Sequence, residues 1–206
     1  MEGKRSSRPT QTGQTEEELN FFEHYSVDND KFRILYTNAD CFTNKRNDLS
    51  LLLGTLNYKP NVIVITEVNS KAFSNNLLKN DFNLLGYNIF ASNVAVLNKR
   101  GLIVYVDSSF DSCLLEIVED FAECIFVKIS VDGGTLVTIG AFYRSPGSAL
   151  ENDIKLFKVL DSFSSSTQGK LLLLGDFNLP NIKWGSSTCD SNLNPNSIAF
   201  KFISCL

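Results

Sequence analysis

The chain has 206 residues, 43% of them hydrophobic and 20% charged, with a formal net charge of -4. That composition supplies the core of one ordinary globular domain and excludes disorder throughout. It also excludes coating nucleic acid by bulk electrostatics, so a DNA partner needs local patches and a metal ion to attract it.

No apolar run approaches the ~20 residues that span a bilayer, and the opening MEGKRSSRPTQTGQTEEE lacks the apolar block of a signal peptide. The expectation is a soluble intracellular protein, cytoplasmic or nuclear, with no membrane partner. Cys41, Cys113, Cys124, Cys189 and Cys205 are scattered, no C-x-x-C occurs, and His24 is the single histidine. This argues against a zinc site or a disulfide framework and for free thiols in a reducing compartment.

In chain order, residues 1–30 are polar and predict a flexible leader ahead of one domain at 31–206. A strand is expected at 32–37, stopping at Asn38. Leu49, Leu52, Leu53 and Leu56 repeat at helical spacing, and that helix must close before Pro60. Residues 61–66 form an apolar, β-branched strand ending in Glu67, so the opening reads as a parallel βαβ unit.

Segments 87–90, 101–106, 122–131 and 135–142 alternate with turn signals and read as antiparallel, with Asp132-Gly133-Gly134 as hairpin chemistry. Ser148 and Glu151 stand at capping-box spacing before a helix whose apolar face is Ile154, Phe157, Leu160 and Phe163. The strand at 170–174 carries four consecutive leucines and reads as buried on both faces. Residues 196–205 open a last helix. Helices flanking mixed strands on two sides imply a layered α/β sandwich.

Asn38, Glu67, Tyr143, Asp176 and Asn178 each follow an apolar strand at its C-terminal end, where layered α/β proteins place their sites. Carboxylates and carboxamides are hard oxygen donors suited to Mg²⁺, and a Tyr or Asn donor can hold a phosphate oxygen. Phosphodiester hydrolysis needs charge neutralisation and a positioned water, which one divalent ion and an acidic residue supply. Each residue also has an ordinary reading. Asp176 and Asn178 are common turn residues after a glycine, Asn38 is a common strand terminator, and Glu67 can cap a loop. Tyr143 can anchor the turn that follows it, with Arg144 a solvated charge.

What separates the readings is order. TNA around Asn38, ITE at Glu67, RGLIVYV from Arg100, FYRSPGS around Tyr143 and LLLLGDFNLPNIKW resemble, in series, the exonuclease-endonuclease-phosphatase superfamily. More narrowly, GDFNLPNIKW resembles the endonuclease domain of non-LTR, LINE-type retrotransposon proteins, and the likeness covers residues 32–206. It implies a four-layer α/β/β/α sandwich with two mixed sheets and a Mg²⁺ (or Mn²⁺) cofactor. It assigns Glu67 to the metal with Asn38 beside it, Tyr143 to the scissile phosphate, Asp176 to the attacking water and Asn178 to steadying that water. Arg144 is placed within reach of a phosphate.

The resemblance also marks departures. The superfamily continues with a further aspartate-bearing strand and an S-D-H motif, and this sequence has neither after GDFN. The expectation is therefore a domain truncated at its C-terminus, with impaired turnover, since losing a positioned acid-base group costs ~10²–10⁴ in rate. An uncovered strand edge would call for a partner or dimer, the oligomeric state being open. Three functions compete: a Mg²⁺-dependent DNA endonuclease, a non-catalytic remnant that binds nucleic acid or protein, and a phosphoesterase acting on a lipid or small phosphoester.

Overall fold

Val62–Thr66, the strand β2, buries every one of its side chains, and the first sheet is built around it. β1 (Ile34–Asn38) lies parallel to it, pairing Ile34 with Val62 and Asn38 with Thr66, and α1 (Arg46–Thr55) makes the crossover between them. β3 (Tyr87–Ser92) and β4 (Leu102–Asp107) complete the sheet in the order β1-β2-β4-β3. The computed structural model describes residues 31–70, 79–94, 96–186, 188–189, 194 and 196–205. The leader expected at 1–30, with His24, lies outside the described residues.

The second sheet runs β5 (Asp111–Leu115), β6 (Cys124–Val131), β7 (Thr135–Tyr143) and β8 (Lys170–Asp176), in that spatial order. Its pairings are antiparallel except β7 with β8, which are parallel and joined by α2 (Leu150–Ser166). The turn between β6 and β7 is the expected Asp132-Gly133-Gly134, both glycines holding a φ of 77° that other residues resist. A small hairpin of β9 (Ile182–Lys183) and β10 (Thr188–Cys189) precedes α3 (Ile198–Ser204).

Three apolar layers hold this together. Leu49 and Leu53 of α1 pack on Ile63, Ile65, Ile103 and Tyr105, on the outer face of the first sheet. Val62, Val64, Val104 and Val106 meet Val127, Ile129, Ile139 and Ala141 between the sheets. Leu156, Val159 and Leu160 of α2, with Phe202 of α3, cover Phe126 and Phe142 on the outer face of the second. The result is an α/β/β/α sandwich with two mixed sheets, the architecture that the resemblance implied. No described helix is long and apolar enough to cross a membrane.

Three local expectations are corrected. The four leucines of β8 are not enclosed on both faces, because among the described residues β8 pairs only with β7, and Leu172 is 39% exposed. The apolar face of α2 is rotated: Asp153, Leu156, Val159, Leu160 and Phe163 are buried, while Ile154 is 44% exposed. The rotation follows from Asp153, which turns inward to meet an arginine. No capping box forms, since Ala149 occupies the N-cap and the Ser148 hydroxyl instead accepts a hydrogen bond from Asn152. β5 and the β9–β10 hairpin carry no strand pattern strong enough to be read from sequence.

Phe142 is fully buried, with ring centroids 5.4 Å from both Phe126 and Phe177. Phe142→Ala is expected to cost about 3–5 kcal/mol of stability, read as a lowered urea midpoint at unchanged slope.

Candidate active site

Each sheet contributes one parallel pair of strands, and the C-terminal ends of both pairs meet. In the first sheet these ends are Asn38 and Thr66, followed by Glu67; in the second they are Tyr143 and Asp176, which lie in register. β1 lies against β8. The Asn38 amide Nδ2 donates to Asp176 Oδ2 at 3.4 Å, a hydrogen bond from one sheet to the other. Tyr143 is buried, and its phenol feels Glu67, Asp176 and Glu123 as well as Arg100. Asn38, Glu67, Tyr143 and Asp176 are therefore brought to one place.

The D-F-N turn shows how a sequence stretch aims a carboxylate. Gly175 has a φ of 153°, and a Cβ there would collide with the Phe142 carbonyl across the ladder, so only glycine allows β8 to stay this close. Phe177 then turns inward against Phe142, Phe202 and Trp184. Asn178 takes a left-handed φ of 48°, and its backbone N–H donates to Asp176 Oδ1 at 3.0 Å. The Asn178 side chain is engaged elsewhere: its Nδ2 donates to the Arg144 carbonyl at 2.6 Å. It reaches Asp176 through the main chain.

Arg144 is neither solvated nor directed at a ligand. It is 6% exposed, and its fork grips the fully buried Asp153, with Nε to Oδ1 at 2.6 Å and Nη2 to Oδ2 at 3.0 Å. Its Nη1 donates to the Asn178 carbonyl at 3.1 Å, and its backbone N–H to the Asp176 carbonyl at 2.8 Å. The first turn of α2 is thereby bolted to the turn that carries Asp176.

Two residues that sequence reasoning left without a role stand at the other side. Arg100 donates from Nη2 to Asp40 Oδ1 at 2.6 Å and to Glu67 Oε2. Burial lowers the Arg100 pKa, but the hydrogen bonds to Asp40 and Glu67 outweigh it, and the net shift is upward. Glu67 and Asp40 both have positive φ, 55° and 39°, conformations that non-glycine residues hold only when their surroundings enforce them. The enforcement is visible: Ala39 N–H donates to Thr66 O, Cys41 N–H to Glu67 O and Asn69 N–H to Arg100 O, so the ladder continues past the strand ends. The only sequence signal for Arg100 was its place at the head of RGLIVYV.

Among the described residues no group of three or more His, Cys, Asp or Glu side chains forms a metal cage. The donors here are sparser: the carboxylates of Glu67 and Asp40, the Asn38 amide oxygen, which accepts from Asp40 N–H at 3.1 Å, and Asp176. Such a set fits a hard ion like Mg²⁺, which keeps several waters and takes one or two carboxylates. The guanidinium seated between Glu67 and Asp40 marks a position built for positive charge.

No family model and no curated protein matches the sequence. Solved structures do. The endonuclease domain of TRAS1, a telomere-specific non-LTR retrotransposon, superposes with a TM-score of 0.53 at 15% identity, over 84% of this chain and 68% of that one. The AP endonuclease LMAP from Leishmania major gives 0.58 at 10% identity, over 94% of this chain and 73% of that one. This chain shares its fold with those two endonuclease structures. Within that fold, the meeting point of the two parallel pairs is the candidate site.

Two outcomes follow from its geometry. Arg144→Met leaves the Asp153 carboxylate buried without its partner and is expected to cost about 3–5 kcal/mol, whereas Arg144→Met with Asp153→Leu recovers most of that loss in urea unfolding. The Tyr143 phenol is pushed up from 10.0 to about 12, by burial first and then by Glu67 and Asp176. A raised pKa means that the folded state holds the proton more tightly, so this stabilisation is complete below pH 10 and disappears as pH rises through about 12. Across that window the wild type should lose stability relative to Tyr143→Phe, as the difference between their urea midpoints.

Proposed function

We propose that the chain is a Mg²⁺- or Mn²⁺-dependent phosphodiesterase that nicks DNA, with residues 31–206 as its catalytic domain. One observation carries the reading: the Asn38–Asp176 hydrogen bond joins the two sheets where the Tyr143 phenol lies in electrostatic reach of both Glu67 and Asp176. The two endonucleases that share the fold, one of them from a retrotransposon, support DNA as the substrate.

Glu67 would hold the cation, with Asn38 and Asp40 as further oxygen donors. A divalent ion held there would supply neutralisation of the charge developing on the phosphoryl oxygens. Asp176 acts on the water. Its Oδ1 is fixed by the Asn178 N–H and its Oδ2 by the Asn38 amide, which orients the carboxylate and leaves lone pairs to accept the water's proton. As that proton passes to Asp176, the water oxygen bonds to phosphorus, the ester P–O bond breaks, and the departing alkoxide takes a proton from solvent. Tyr143, still protonated at neutral pH, donates its O–H to a non-bridging phosphate oxygen. Asn178 and Arg144 are positioning residues that hold the Asp176 turn.

The test is conversion of supercoiled plasmid to open circles with Mg²⁺ present. Slow nicking is expected from the wild type, suppressed by EDTA and falling by ~10²–10⁴ in Asp176→Asn and Glu67→Gln. Nicking no faster than that of Asp176→Asn overturns the reading. If DNA binding then survives both EDTA and Glu67→Gln, the chain is a binding protein.

A further inference from the structure

Arg100 is used in an unusual way. One nitrogen, Nη2, serves two carboxylates from two different loops, Asp40 after β1 and Glu67 after β2. Only 11% of the side chain is exposed, and its Nε and Nη1 are buried with no hydrogen-bond partner. An arginine chosen for its geometry spreads its fork over one carboxylate, as Arg144 does on Asp153 in this same molecule. Arg100 forgoes that bidentate fit and leaves two donors buried and unpaired, a costly arrangement. What the position requires is therefore the positive charge itself, set between two carboxylates that would otherwise repel.

We propose that Arg100 is the resident counter-cation of the site in the metal-free protein, and that a divalent ion arriving at Glu67 takes its place by exchange. The proposal rests on the reading of Glu67 as the metal's ligand. Direct contact with substrate does not explain the residue, because Nε and Nη1 are shut away from solvent and no incoming phosphate reaches them in this conformation. Exchange needs only a side-chain rotation. The backbone on either side is pinned, the Arg100 carbonyl by Asn69 N–H at 2.7 Å and the Lys99 carbonyl by Asn69 Nδ2 at 2.7 Å. The arginine thus keeps Glu67 and Asp40 converged when no metal is bound, and competes with the metal when it arrives.

Competition of this kind is reciprocal, so removing the arginine must tighten metal binding. Mn²⁺ binding, followed by the electron paramagnetic resonance signal of the free ion, should be about tenfold tighter in Arg100→Met than in the wild type, with Arg100→Lys in between. In EDTA, Arg100→Met should melt below the wild type and recover on adding Mn²⁺. Folded Arg100→Met that binds Mn²⁺ no tighter than the wild type, while Glu67→Gln abolishes binding, overturns the counter-cation role and leaves the metal reading standing. Wild-type Mn²⁺ binding that is absent, or indifferent to Glu67→Gln, overturns both. Should Arg100→Met not fold, the wild type carries the test: Mg²⁺ must shift the Arg100 Nε–H resonance, and an unmoved resonance overturns the exchange.

Discussion

The structure depends on two parallel strand pairs, one in each sheet, ending at the same place. Every other described pairing within the two main sheets is antiparallel, so β1–β2 and β7–β8 alone deliver two neighbouring C-terminal ends together. The valine, isoleucine and alanine layer between the sheets sets how far apart those ends stand. At those ends, the side-chain hydrogen bond from Asn38 to Asp176 bridges the remaining gap. The spacing of the polar site is thus decided by apolar packing some residues away, because a close-packed interior transmits changes in volume.

Rigidity is added differently on the two sides. In the first sheet, the loops after β1 and β2 and the segment before β4 keep hydrogen-bonding to each other beyond their strands, which lines up Asp40, Glu67 and Arg100 on three neighbouring segments. In the second, one such bond, from the Arg144 N–H to the Asp176 carbonyl, extends the β7–β8 ladder before the chain turns through Phe177 and Asn178. There a buried ion pair takes over, Arg144 tying Asp153 of α2 to the carbonyls of the D-F-N turn. Asn178 answers by holding the Arg144 carbonyl, so each of these two residues fixes the other's main chain.

Much of this was legible in the sequence, and the remainder was hidden for identifiable reasons. A β-branched run such as Val62–Thr66 can only be a buried strand, and polar residues at strand ends mark where a site forms, so the layer architecture and the convergence of Asn38, Glu67, Tyr143 and Asp176 could be anticipated. Periodicity reports which face is apolar, but it does not report which strand lies at an edge, and the leucines of β8 were misjudged for that reason. It also treats charges as surface residues. Asp153 and Arg144 broke that assumption together, and with it the expected face of α2. Arg100 was missed because its partners lie 60 and 33 positions away, a separation that no local pattern encodes.

The electrostatics of the site narrow what its groups can do. Burial and the carboxylates of Glu67, Asp176 and Glu123 all favour the neutral phenol of Tyr143, and the nearby Arg100 offsets them only in part. With its pKa pushed up to about 12, the phenol carries its proton throughout the physiological range and can serve as a hydrogen-bond donor, not as a base or a nucleophile. That leaves proton acceptance to the carboxylates. Glu67 already shares a cation with Asp40, whereas Asp176 accepts only from the neutral Asn38 amide and the Asn178 N–H among the hydrogen bonds described. Under the proposed reading, a division of labour in which Glu67 faces positive charge and Asp176 takes a proton would follow from which carboxylate the fold has given a cationic neighbour.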